Sequence, residues 1–276
     1  MAKAELVVAA AQLSSQADLA QNLEQAREQV KRAARRGAEL VVLPENFAFF
    51  GAEADKRRLA GPLDGGAIAS ALADMARESS VFVVGGGFPE SSGDPERPHN
   101  TLLVVGPGGE QLASYRKIHL FDVALGSGGT YSESAATSPG AAVTVVEVAG
   151  FKLGLSICYD LRFPELYREL SEQGAEVLLV PAAFTLHTGK DHWHVLLRAR
   201  AIEAQAFVVA AAQYGAHPGG RSTYGHALVA DPWGTVIAEA ADGVGLALAT
   251  LERSRLEAVR RALPSLKHRR LGVGAR

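Results

Sequence analysis

Apolar runs of strand length alternate along the chain with segments whose apolar residues return every three or four positions. Residues 6–13 carry almost no polar side chain and predict a strand buried on both faces. Residues 18–36 follow as a helix, with Leu19, Leu23, Ala26, Val30 and Ala33 or Ala34 on one face and Gly37 as its stop. The spacing predicts strands at 38–43 and at 81–84 with a helix at 66–77 between them, the last strand running out in Gly85-Gly86-Gly87. Residues 101–105 and 111–115 flank a Gly-Pro-Gly-Gly turn and predict a hairpin; 143–148 and 151–157 pair around Gly150. A helix at 160–173, a strand at 177–181, a helix at 192–205 and a strand at 207–212 come next. The pairs 225–230 and 236–240 then flank Asp231-Pro232-Trp233-Gly234, before a strand at 246–250 and a short helix.

Alternation of this kind predicts an α/β fold, a sheet covered by helices, and the hairpins make that sheet mixed rather than purely parallel. No repeat or interdomain linker breaks the pattern, so one domain is expected over residues 1–276. Its core would lie at about 5–262, with a polar loop at 91–98 and a basic, solvated tail at 266–276. Its His268-Arg269-Arg270 also has the look of a nuclear-import signal, a weaker reading than a solvated end. A formal net charge of −2 argues against nucleic acid or an anionic membrane as the main partner. The single cysteine has no internal disulfide partner and suits a reducing compartment. No apolar run approaches the roughly 18 residues of a spanning helix, and the N-terminal stretch lacks a signal-peptide layout. A soluble cytoplasmic protein is expected.

Four ionisable side chains stand where strands run out. Cys158 sits between a strand and a helix, where helix-start N–H groups and the dipole favour thiolate; the alternative is an inert core thiol. Glu45 follows Pro44, which ends a sheet ladder and aims the carboxylate off its edge. Lys117 lies just past a strand, and Glu133 in a Gly/Ser-rich loop. Ligands of open α/β sheets bind beyond the carboxyl ends of strands. Brought together there, Cys158 would attack an electrophilic carbon and Glu45 would move the protons. Lys117 and the Tyr159 N–H would face the oxyanion, while Glu133 held Lys117 charged. Taken singly, each acid or lysine reads first as a surface ion-pair partner, and only the set points to chemistry.

The segments LPENF, YRKIHLFD, YSES and CYDLRFPE, in that order, resemble the nitrilase superfamily of carbon–nitrogen hydrolases over about residues 6–270. The resemblance implies a Glu-Lys-Cys triad with a second Glu, matching Glu45, Lys117, Cys158 and Glu133. It implies a four-layer αββα sandwich with mixed sheets, and association into homodimers or larger assemblies. It implies no metal and no organic cofactor. The stretches from Ala182 to Gly215 and STYGHALVADPWG are similar to the Nit branch. That branch implies a small-molecule amidase cleaving a carboxylate-bearing 2-oxo acid through a thioester with release of ammonia. Deaminated glutathione is the first expected substrate, 2-oxoglutaramate the second; carbamoylase and nitrilase use the same four residues. A catalytically silent scaffold is the reading from another class.

Arg162 would grip a substrate carboxylate, or else pair with Glu165 or a neighbouring subunit. Phe184 and Thr188 would shape the pocket wall, or belong to the core. His187 and Lys190 fall in the segment expected to line the mouth, where smaller or uncharged residues would fit better. His119 would polarise Lys117 or only cap a strand, and is given no catalytic role. His192 and His194, two apart, do not share a helical face, and no metal motif accompanies them or His187. The glycine triplet lacks the signature of a phosphate loop and would serve close backbone approach.

Overall fold

The computed structural model describes residues 3–126 and 129–272. Among them are two large mixed sheets packed face to face, with helices on both outer surfaces, the expected αββα order. The first sheet runs in space Arg221–Tyr224, Ala212–His217, Glu5–Leu13, Leu40–Leu43, Phe82–Glu90, His99–Val105, Gln111–Arg116, and Gly245–Glu252 lies antiparallel beside Glu5–Leu13. The second runs Val236–Glu239, Leu228–Ala230, Phe207–Ala210, Val177–Leu179, Phe151–Leu155, Val145–Val148.

Residue parity assigns the layers. In Glu5–Leu13, Leu6, Val8 and Ala10 join the buried cluster shared with the second sheet. Ala9, Ala11 and Leu13 point the other way, into the cluster under helices Leu19–Arg35 and Ala67–Ser79. Helices Pro164–Glu172 and Leu186–Ala204 cover the second sheet. Burial on both faces is why these strands lack alternation in the sequence. No helix among the described residues is long and apolar enough to cross a membrane.

Several boundaries move for local reasons. The helix expected at 160–173 is broken into a 3-10 turn at Cys158–Arg162 and an α-helix at Pro164–Glu172. Pro164 sits in the first turn of the latter and holds Phe163 extended (φ −108°, ψ 91°). The helix expected to begin at 192 begins at Leu186, where the Thr185 side chain accepts from the Thr188 N–H; its polar first turns carry no apolar rhythm. The glycine triplet does not end its strand. Phe82–Glu90 runs through it with a register shift between Gly85 and Phe88. The short helix Glu53–Arg58, the strand Arg221–Tyr224 and the small pair Asp122–Ala124 with Thr130–Ser132 escape the periodicity altogether. Past residue 264 the chain makes a 3-10 turn; Arg269 lies 3.4 Å from Glu172, while Lys267, His268, Arg270 and Leu271 are exposed.

Candidate active site

Four separate chain segments deliver polar groups to one end of the sandwich. Strand Leu40–Leu43 runs into Pro44 and presents Glu45, followed by Asn46 in a left-handed conformation (φ 59°). Room for this carboxylate comes from the glycine triplet. A Cβ on Gly87 (φ 84°) would stand 2.9 Å from Glu45 Cγ, and one on Gly86 would stand 2.2 Å from Pro181 Cβ of the facing sheet. The expected close backbone approach is therefore made to the site itself.

Lys117 follows Gln111–Arg116 and is buried, its Nζ donating to Glu45 Oε1 at 2.9 Å and to Glu133 Oε2 at 2.8 Å. Asn100, at the start of its strand, donates from Nδ2 to Glu45 Oε1 (2.9 Å) and Glu133 Oε1 (3.2 Å). Backbone N–H groups complete the set: Ala183 to Glu45 Oε2 at 3.1 Å and Phe121 to Glu133 Oε2 at 2.7 Å. Two buried carboxylates thus share one ammonium and one amide. Burial alone would push Lys117 down, but Glu133 and Glu45 outweigh it and hold its ammonium well above the ordinary range. Burial likewise opposes ionisation of Glu133, and Lys117 reverses it, leaving that carboxyl below its ordinary value.

Cys158 lies beyond strand Phe151–Leu155, in a left-handed backbone conformation (φ 48°) that a non-glycine residue adopts only when its surroundings impose it. Its N–H donates to Pro181 O at 2.9 Å. Fully buried Asp160 ties the same turn down by accepting from the Ile157 N–H (2.9 Å) and the Tyr115 hydroxyl (2.7 Å). It also meets the His119 N–H (3.0 Å) and His119 Nδ1 (2.7 Å). One carboxylate therefore couples the cysteine turn to the segment carrying Lys117. His119 stacks on Phe163 at 3.7 Å and serves this link rather than touching Lys117. The thiolate expected at Cys158 is corrected here. Burial first, and Glu45 second, push the thiol well above its ordinary range, and Lys117 only partly opposes them. No α-helix starts at this residue; the five-residue 3-10 turn aligns too few peptides to offset burial.

A cavity of about 520 Å³ opens over these groups, lined by Glu45, Lys117, Glu133, Cys158, Tyr159, Arg162, Phe184 and Thr188, every site residue expected from the sequence. Arg162 forms no ion pair with Glu165 or any other carboxylate among the described residues. It lies over the Phe184 ring at 4.9 Å and meets His192 Nδ1 at 3.2 Å. His187 and Lys190 are exposed and stand off the cavity wall, contrary to the expectation for the mouth. Instead Lys56, Phe50 and Arg221 line it, Phe50 stacking on His217 at 4.2 Å beneath the Arg221 guanidinium. Periodicity gave no sign of these, because Lys56 and Arg221 sit on elements too short to show one and Phe50 lies in a loop. Asn100 and Asp160 were equally silent as single polar residues in strand and turn.

The carbon–nitrogen hydrolase family description matches residues 7–261. A deaminated glutathione amidase of Synechocystis sp. is 49% identical over 270 residues, covering 95% of this chain and 97% of the relative. The crystal structure of the Caenorhabditis elegans NitFhit protein superposes with a TM-score of 0.91 at 38% identity, over 98% of this chain and 66% of that one. A mutant amidase of Nesterenkonia sp. AN1, carrying acrylamide added to its active-site cysteine, superposes at 0.79 with 29% identity, over 94% and 98% of the two chains.

Proposed function

We propose that this chain, which belongs to the carbon–nitrogen hydrolase family, is an amidase that hydrolyses deaminated glutathione through a thioester on Cys158, its whole length serving as one hydrolase domain. The supporting observation is that Cys158, Glu45, Lys117 and Glu133 line one cavity, with Lys117 bonded to both acids. A thiol held protonated needs a base, and Glu45 takes its proton as sulfur attacks the amide carbon. The oxyanion that forms faces Lys117 Nζ and the Tyr159 N–H, which lies in the first turn of its helix without a carbonyl partner there. Glu45 returns the proton to the departing amine and then deprotonates the water that cleaves the thioester, restoring thiol and carboxylate. Glu133 keeps Lys117 charged and aimed.

The cavity wall supports a substrate with two carboxylates. Arg162 and Lys56 both line it, and neither forms an ion pair among the described residues. Deaminated glutathione carries one carboxylate at each end, whereas 2-oxoglutaramate carries one in all. About 520 Å³ suits a tripeptide-sized molecule. Phe184 and Thr188 bound the space beside Arg162. The amides of deaminated glutathione are secondary, so a dipeptide amine departs from it; ammonia departs from a primary ω-amide. Following 2-oxoglutarate release from both substrates tests the reading. It requires kcat/KM at least tenfold higher for deaminated glutathione; the reverse order makes the protein an ω-amidase, and silence on both with Cys158 unreactive to iodoacetamide favours a scaffold.

Exposed Val195 and Ile202 on helix Leu186–Ala204, Trp233 in the 231–234 turn and Ile237 on strand Val236–Glu239 support a homodimer or larger homo-oligomer as the working form. The single cysteine supports a cytoplasmic setting.

A further inference from the structure

We propose that His194, His226 and Glu239 form a binding site for one divalent transition-metal ion of the Zn2+ type, outside the cavity that holds Cys158. The three come from separate elements. His194 projects from helix Leu186–Ala204, His226 precedes strand Leu228–Ala230, and Glu239 ends strand Val236–Glu239. Their ligand atoms all lie within 4.8 Å of one another. Glu239 Oε1 is 3.0 Å from His194 Nε2 and 2.7 Å from His226 Nδ1. Bonds of about 2.0–2.1 Å in a tetrahedral arrangement place ligand atoms roughly 3.3 Å apart. Opening the two contacts by about half an ångström would admit the ion, with water completing the fourth position.

The position of His226 is imposed rather than incidental. It is held at φ 58°, a conformation that costs a histidine energy. Buried groups pin the backbone on both sides: Trp193 Nε1 donates to His226 O at 2.8 Å, and the Ala227 N–H donates to Gln12 Oε1 at 2.9 Å. The Tyr224 ring lies against His226, with centroids 4.4 Å apart, and meets His194 edge-on at 6.0 Å. Two imidazoles and one carboxylate are a donor set that suits zinc, with borderline-soft nitrogen dominating. Sequence spacing rightly separated His192 from His194: His192 turns to Arg162, and the true companions of His194 lie more than thirty positions away.

Such an ion would staple the helix whose first turn lines the cavity to the strands of the second sheet. The test uses the untagged full chain carrying Cys158→Ala, which removes the thiol as a competing ligand, after exhaustive dialysis against chelator. Calorimetric titration with ZnCl2 should show one equivalent bound, and thermal unfolding should move upward with the added ion. His194→Gln and Glu239→Gln, both on partly exposed positions, should each weaken binding by at least about 100-fold and abolish the thermal shift. His226→Asn, which tolerates the left-handed backbone, should do the same with an unchanged circular-dichroism spectrum. A parent protein that binds no zinc, or binding that survives both His194→Gln and Glu239→Gln, overturns the proposal.

Discussion

The floor of the cavity and its mouth are built on opposite principles. At the floor, Glu45, Lys117, Glu133 and Asn100 are buried or nearly so and bonded to one another and to the backbone N–H groups of Ala183 and Phe121. At the mouth, Arg162 has only an imidazole and aromatic faces beside it, while Arg221 rests on the Phe50 ring with Glu53 3.9 Å away. A densely bonded low-dielectric network favours one arrangement, which suits chemistry shared by many amides. A cation with no carboxylate partner has affinity to spare, which suits recognition. Reactivity and selectivity are thereby separable, and substitutions should divide along the same line.

The largest effect belongs to the floor. Cys158→Ala should lower kcat on the order of 10⁴-fold or more, and no acyl adduct should appear by mass spectrometry. Retention of amide hydrolysis would exclude the covalent route. Lys117→Met comes next, since it leaves two buried carboxylates facing each other without a cation. Denaturant unfolding should show a loss of about 3–5 kcal/mol beside the loss of turnover.

The mouth should respond in KM rather than kcat. Arg162→Ala is expected to raise KM about 10- to 100-fold for carboxylate-bearing amides and to leave a neutral amide unaffected. Equal effects on both substrates would make Arg162 structural and erase the division.

Protonation probes the floor more gently. Glu133 ionises below its ordinary value of 4.5, so its contribution to stability is present above that value and fades as pH falls through the lowered one. Lys117 ionises above its ordinary 10.5, so its contribution is full below that value and fades as pH rises beyond it. The stability gap between the native protein and Glu133→Gln should therefore be widest between about pH 4.5 and 10.5 and should narrow below it. A gap that stays constant into acid would remove the Lys117–Glu133 pair from the account. The smallest effect is expected at His187 and Lys190: exposed and off the cavity, they should change stability by no more than about 0.5 kcal/mol and KM hardly at all when replaced by Ala.

Much was legible before any coordinates. Strands buried on both faces write continuous apolar runs, so a helix-covered sheet followed from 6–13, 38–43 and 177–181, while the four-layer order came from the family resemblance. Glu45, Lys117, Glu133 and Cys158 announced themselves as polar residues at strand ends within specific motifs. The break at Pro164 was also written in the chain, although periodicity alone carried the helix across it. Glu53–Arg58 and Arg221–Tyr224 were not legible, being held by their place over the cavity rather than by any pattern of their own.

What the sequence determined by itself was the alternation of elements and the inventory of reactive groups, because hydrophobic period and residue chemistry are local properties. Only the tertiary structure decided how those groups behave. Whether Cys158 is thiol or thiolate depends on how deeply it is buried and on a carboxylate more than a hundred positions away. Whether Asp160 binds one segment or two, and whether His194 meets His226 or His192, likewise depends on contacts across the fold. Electrostatic energy follows distance and dielectric in space, and neither is a property of position along the chain.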